Sequence, residues 1–178
     1  VEVVVRVWDM VNMVQISGKS YVSSSANWRR VGHLISDEIY SKLTGESGYF
    51  DTRIVYVAET GPQNDRVKRL AVMDQDGGNH TIITNGSSLV LTPRFSKAKH
   101  EVVYLSYSGA VPKVKIRNIE TGRDRLLASI PGMTFAPRFS PDGTKVALSV
   151  ARNGNTEIYE IENGNKRKLT NHPAIDTS

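Results

Sequence analysis

The residues that could do chemistry are few and dispersed. The histidines are His33, His80, His100 and His172, and none stands in an HxxxH or HExxH spacing. A zinc ion needs three or four convergent ligands, which this spacing does not supply. His33 is expected on the surface of a helix and the others in loops or turns. Asp74 and Asp76, followed by Gly77 and Gly78, sketch a calcium loop. That template ends in a glutamate at its twelfth position, but the twelfth residue from Asp74 is Asn85. A β-turn between two strands is the simpler reading. No GxSxG nucleophile motif occurs, since "SYSGA" (Ser106–Ala110) lacks the first glycine. "GSS" (Gly86–Ser88) and "GESG" (Gly45–Gly48) are too short for phosphate loops, and GxxxxGK[ST] is absent. The serines of "SSSANWRRVGH" could hold an anion at a helix N-terminus, but capping alone explains them. No catalytic, metal or cofactor constellation is expected.

Composition narrows the class further. The 178 residues carry a net charge of +5, with 39% hydrophobic and 23% charged side chains, the balance of a globular chain. The basic residues are spread over Arg29-Arg30, Arg66–Arg69, Arg123–Arg125 and Lys166–Lys168, without interleaved aromatics. Nucleic-acid binding calls for a clustered footprint, so no nucleic-acid partner is expected. Cysteine is absent, which excludes disulfides and thiolate metal sites. No run of 18 apolar residues exists to span a membrane as a helix. The chain opens inside "VEVVVRVW", already strand-like, so the natural N-terminus and any signal peptide are expected to lie upstream.

The elements behind these residues show themselves as a repeat. "PRFS" at Pro93–Ser96 returns 44 residues later at Pro137–Ser140. "KIRNIETGRDRLLAS" (Lys115–Ser129) matches "EIYEIENGNKRKLTN" (Glu157–Asn171) with a two-residue slip. A diverged copy lies upstream in "RIVYVAET" (Arg53–Thr60) and "RLAVMDQDGGNHTIITN" (Arg69–Asn85), without its own "PRFS". Each unit reads as four short strands. The first is a Phe-Ser stub. The second, Glu101–Tyr107 or Lys145–Ala151, is an apolar run suited to burial on both faces. The third, Lys113–Glu120 or Glu157–Glu162, alternates, with Val114, Ile116 and Ile119 against Lys115 and Arg117. The fourth is Arg125–Ser129 or Arg167–Thr170. Turn chemistry joins them at Asp142-Gly143, Thr121-Gly122, Asn163-Gly164 and Asp76-Gly77-Gly78. Four strands at this period predict propeller blades, whereas a two-sheet sandwich gives no reason for a repeat. Arg94 and Arg138 occupy equal blade positions and could line a channel or pair with the neighbouring blade.

The first fifty residues follow another pattern. "VEVVVRVWDM" and "QISGKSYVSS" read as strands. Trp28, Val31, Ile35 and Ile39 then recur on one helical face between Ser25 and Thr44, with Ser25 as N-cap and Gly45 as C-cap. "GESGYFDTR" (Gly45–Arg53) reads as a linker. The fold class is therefore mainly β: a partial β-propeller of about two and a half four-stranded blades, preceded by the end of a small α/β domain. The boundaries are 1–48 for the α/β part and 49–178 for the propeller part.

"NWRRVGHLISDEIYSKLTGESGYFDTRIVYVAET" (Asn27–Thr60) resembles the helix, junction and first propeller strand of the TolB family, periplasmic proteins of the Tol–Pal system of Gram-negative bacteria. "FSPDGTKVALSV" with "NGNTEIYEI" (Phe139–Ile161) and "LTNHPAIDTS" (Leu169–Ser178) resemble its blades. The resemblance implies an α/β domain followed by a six-bladed propeller, of which the first blades are present here. It implies no catalysis and no cofactor. The implied partners are the lipoprotein Pal at the propeller's channel mouth and the inner-membrane Tol proteins at the N-terminal region, with colicins using the same propeller face. The implied setting is the periplasm, with membrane attachment only through partners, a monomer when full-length, and a role in outer-membrane integrity and cell division. Family contacts with Pal fall in loops entering each blade. They map onto Met133 and Ala136, four and one residues before Pro137, onto Thr177 in the next loop, and onto Thr92 by blade equivalence. Met133 stands where better-known members have histidine. The alternative is a propeller gating domain of a prolyl-oligopeptidase-like hydrolase whose catalytic domain is absent.

Overall fold

The computed structural model describes residues 1–177, which divide into two compact units. One comprises Val1–Ile54 with Asp74–Gly78, and the other Val55–Met73 with Asn79 to the C-terminal end.

In the first unit, β1 (Glu2–Asp9) and β2 (Val14–Val22) form an antiparallel hairpin. Its turn is closed by Asp9, whose Oδ1 accepts the backbone N–H groups of Val11 and Asn12. A single 3-10 turn, Ser25–Asn27, leads into helix α1 (Trp28–Thr44). Ser25 is thus not the helix cap. Asn27 holds that position, without a side-chain cap bond, because the 3-10 turn takes up the serines. Gly45 ends the helix as expected, at φ 76°, with its N–H on the Ser41 carbonyl. Glu38 ties helix to hairpin by accepting hydrogen bonds from Ser17 and Lys19. The stretch read as a linker is anchored: Asp37 accepts the N–H groups of Phe50 (2.6 Å) and Asp51 (3.1 Å). Tyr49 and Phe50 stack beside Tyr40. Val31 is the buried apolar residue of this unit among the described residues, while Trp8 and Trp28 are exposed.

The second unit contains the blades. β3 (Arg53–Thr60), β4 (Val67–Asp74) and β5 (Thr81–Ile82) form a three-stranded sheet. β6 (Leu89–Phe95), β7 (Glu101–Tyr107), β8 (Lys113–Asn118) and β9 (Asp124–Ser129) form a four-stranded antiparallel meander. β10 (Met133–Phe139), β11 (Lys145–Arg152), β12 (Asn155–Glu162) and β13 (Asn165–Lys168) repeat it. Among the described residues the diverged first copy has three strands and no counterpart of β6 or β10, in keeping with its missing "PRFS". The fourth strands begin earlier than expected, at Asp124 and Asn165, because Asn118 and Glu162 hand directly into tight turns at Gly122 and Gly164.

The core forms because β7 is apolar on both faces. Val103 and Leu105 cluster with Val114 and Ile116 of their own sheet and with Val146, Leu148, Val150 and Ile161 of the next. On the other face Tyr104 packs with Leu70 and Val90. The turns after the inner strands are built on the repeated serine. Ser96 Oγ accepts the N–H groups of Ala98 and Lys99, and Ser140 Oγ accepts that of Lys145. In the later copy Asp142 also accepts from Ser140 and Thr144. Gly143 then sits against the preceding sheet: a Cβ there would lie 2.8 Å from Ser96 Oγ, and its φ is 69°. Leu148 is fully buried in the shared cluster. Leu148→Ala is expected to cost about 2–5 kcal/mol, read as a lower denaturant midpoint at unchanged slope.

Candidate interaction surface

Three of the four residues placed in entering loops lie instead in strands. Thr92 belongs to β6, and Met133 and Ala136 belong to β10, so the Phe-Ser stubs are the ends of seven-residue strands. The reason is a β-bulge repeated in both sheets. Leu91 pairs with Leu105 and Arg94 with Val103, so one extra residue is inserted. Phe135 pairs with Ser149 and Arg138 with Ala147 in the same way. The bulged residues Thr92 and Ala136 take φ of 47° and 44°, left-handed values that cost a side chain with a Cβ. The next residue in each case is a buried proline, Pro93 or Pro137. Proline has no N–H, so a break in the ladder at that position leaves no donor unpaired.

The bulge bends each strand so that its first half carries exposed side chains on a fixed backbone. Met133 is 59% exposed and Phe135 39%. Thr92 is exposed and Ala136 half-buried. Thr92 and Met133 line one groove of about 520 Å3, walled by Leu91, Leu105, Tyr107 and Phe135. Thr134 also lines it, and its buried hydroxyl has no hydrogen-bond partner. Thr177 is exposed at the end of a segment tied down along β12. Thr170 Oγ1 donates to Glu157, Asn155 donates to the His172 carbonyl, and Asp176 N–H donates to the Thr156 carbonyl. Thr177 does not line the groove of Thr92 and Met133. Phe135 was missed by sequence reasoning, although its place before the bulge, matching Leu91, was a usable signal. Arg94 and Arg138 are both exposed, and Arg94 donates to its own Pro93 carbonyl. Neither makes an ion pair among the described residues, so of the two readings, channel lining and pairing with a neighbouring blade, the second is not observed.

One titratable cluster stands apart, in the first unit. His33, Asp74 and Asp76 offer ligand atoms within 4.8 Å of one another. His33 is therefore not a free surface residue of the helix: its Nε2 lies 3.2 Å from Asp76 Oδ2. Arg29 pairs with both carboxylates, so a guanidinium already occupies the charge that a cation would neutralise. The turn expected at Asp74–Gly78 is present, closed by Gly77 N–H on the Asp74 carbonyl. The Gly78 N–H, then His33, with Arg29 adding, hold the Asp76 carboxyl down at about 2.

Successive four-stranded meanders packed face to face define a β-propeller. Residues 40–178 match the TolB beta propeller domain family. The chain is 44% identical over 173 residues to Tol-Pal system protein TolB of Gluconobacter oxydans (strain 621H), spanning 96% of this chain and 38% of that protein. It superposes on the crystal structure of TolB from Acinetobacter baumannii with a TM-score of 0.87 at 28% identity, over 98% of this chain and 44% of that one. The chain belongs to the TolB propeller family, as its junction and blade motifs imply. The fold alone is shared with oligogalacturonate lyase in complex with manganese, at TM-score 0.57 and 18% identity over 71% of this chain and 35% of that one. It is also shared with the β-propeller domain of the Trilobed protease from Pyrococcus furiosus, at TM-score 0.52 and 12% identity over 66% and 40%.

Two outcomes are expected. Thr92→Gly relieves the left-handed strain of a β-branched residue and raises stability by about 0.5–1 kcal/mol, while Ala136→Gly is close to neutral. Denaturant midpoints check this, and a Thr92→Gly midpoint well below wild type would contradict the strain. Asp76 binds its proton more weakly folded than unfolded, where its ordinary value is 3.8. Its contribution is therefore full above about pH 4 and is lost as pH falls through about 2. Asp76→Asn should flatten the melting temperature against pH in that window.

Proposed function

We propose that the chain is part of a non-enzymatic periplasmic interaction protein of the Tol–Pal system. Its propeller rim binds the lipoprotein Pal, and its N-terminal region, residues 1–48 being the C-terminal part of an α/β domain, meets the inner-membrane Tol proteins. Through these partners the protein supports outer-membrane integrity and cell division, and colicins engage the same rim. The chain spans 38% of the length of the curated relative it matches, so these roles are proposed for the whole protein.

The observation that carries this reading is the repeated bulge. It fixes Thr92 and Ala136 at corresponding positions, with Met133 three residues before the second bulge, on strands whose other ends are locked in the core. Recognition by shape and apolar anchors asks for such a rigid presentation and for no tuned acid or base. Met133 and Phe135 are the anchors, with the groove beside them as the receiving surface. Thr177, exposed beyond β12 and β13, is proposed as a further contact.

Calorimetry with purified Pal tests this. Met133→Asp should weaken binding by about tenfold or more, while Arg123→Ala, in an exposed turn away from the rim, leaves it unchanged. Wild-type affinity in Met133→Asp and Thr92→Asp together would remove the rim from the interface. Peptidase activity of the intact protein, with no Pal binding, would overturn the reading altogether.

A further inference from the structure

A second cavity, distinct from the rim groove, opens where the segment after β5 faces the second sheet. Its volume is about 520 Å3, and its walls are mainly polar. That volume suits a ligand of sugar to drug size. Tyr104 forms part of the floor, 2% exposed, beside Asp124 and Arg117. Burial, helped by the Asp124 charge, pushes this phenol well above its usual range, so it remains neutral.

The cations of the cavity are not all spent. Arg117 Nη1 lies 3.0 Å from Asp124 Oδ1, but its Nε is shielded from water and has no hydrogen-bond partner. Lys115 lies two residues earlier on the same face of β8, and its ammonium makes no ion pair or hydrogen bond among the described residues. Two cations thus line the cavity against one carboxylate that is already engaged. On the facing wall, Asn85 Oδ1 accepts the N–H and the hydroxyl of Ser87, which fixes the bend. Ser88 beside it lines the cavity.

We infer that this cavity binds a carboxylated saccharide, with the carboxylate at Lys115 and Arg117 and the sugar hydroxyls on Ser87 and Ser88. The cations select the acid group, and the hydroxyl-lined wall selects a polyol over a compact inorganic anion. Asp124 stays on Arg117 and accepts from the ligand's hydroxyls.

Calorimetry on the intact protein with glucuronate, glucose and inorganic phosphate as probes tests the inference, with amide chemical shifts to locate binding. Glucuronate should bind with a Kd of about 1 mM, about tenfold tighter than either of the others, and shift Ser87, Ser88 and Lys115. Lys115→Glu should weaken glucuronate by about tenfold or more at an unchanged melting temperature, and Lys115→Arg should retain binding. Phosphate binding as tightly as glucuronate would reduce the cavity to a general anion patch and overturn the saccharide. Glucose equal to glucuronate, no saturable binding, or unchanged affinity in Lys115→Glu would overturn the site.

Discussion

Burial of the second strand on both faces is the constraint from which the remaining geometry follows. A strand such as β7 cannot satisfy itself in one sheet with one solvated side. Val103 and Leu105 demand a neighbour on one face, and Tyr104 on the other. The chain meets that demand by writing the same unit again, so each sheet is the lid of the one before. Everything variable is then pushed to the strand ends. The inner strands are free to bulge at Thr92 and Ala136 because Val102–Ser106 and Val146–Val150 hold the sheets together without them.

That division of labour explains why strain and exposure coincide. Left-handed backbone at a residue with a Cβ persists only where the surroundings over-determine it. Here the strain sits between a locked half-strand and an exposed half-strand, next to a proline that removes the donor at risk. The side chains that result, Met133 and Phe135, are apolar and solvent-facing.

Much of this was legible in the sequence. The 44-residue period, the turns at Asp142-Gly143 and Asn163-Gly164, and the apolar runs of the second strands gave the sheets and their order. The helix and its glycine stop were legible too. The inner strands were under-read because a proline in an extended run looks like a break; only pairing with Leu105 and Ser149 makes Leu91 and Phe135 ladder residues. The cluster of His33 with Asp76 joins positions 43 residues apart, which no local pattern encodes. Likewise, Lys115 and Arg117 read as the polar half of an alternating strand. Their meeting with Ser87 and Ser88 exists only once two sheets are packed.

The contact between Gly143 and Ser96 has a consequence for how closely successive sheets can stack. It joins the turn after β10 to the turn after β6 of the sheet before. A side chain at position 143 would press on Ser96, Ala98 and Lys99 and push the two turns apart. The spacing between repeats is thus set at this point by an atom left out, as elsewhere it is set by the side chains that fill the core.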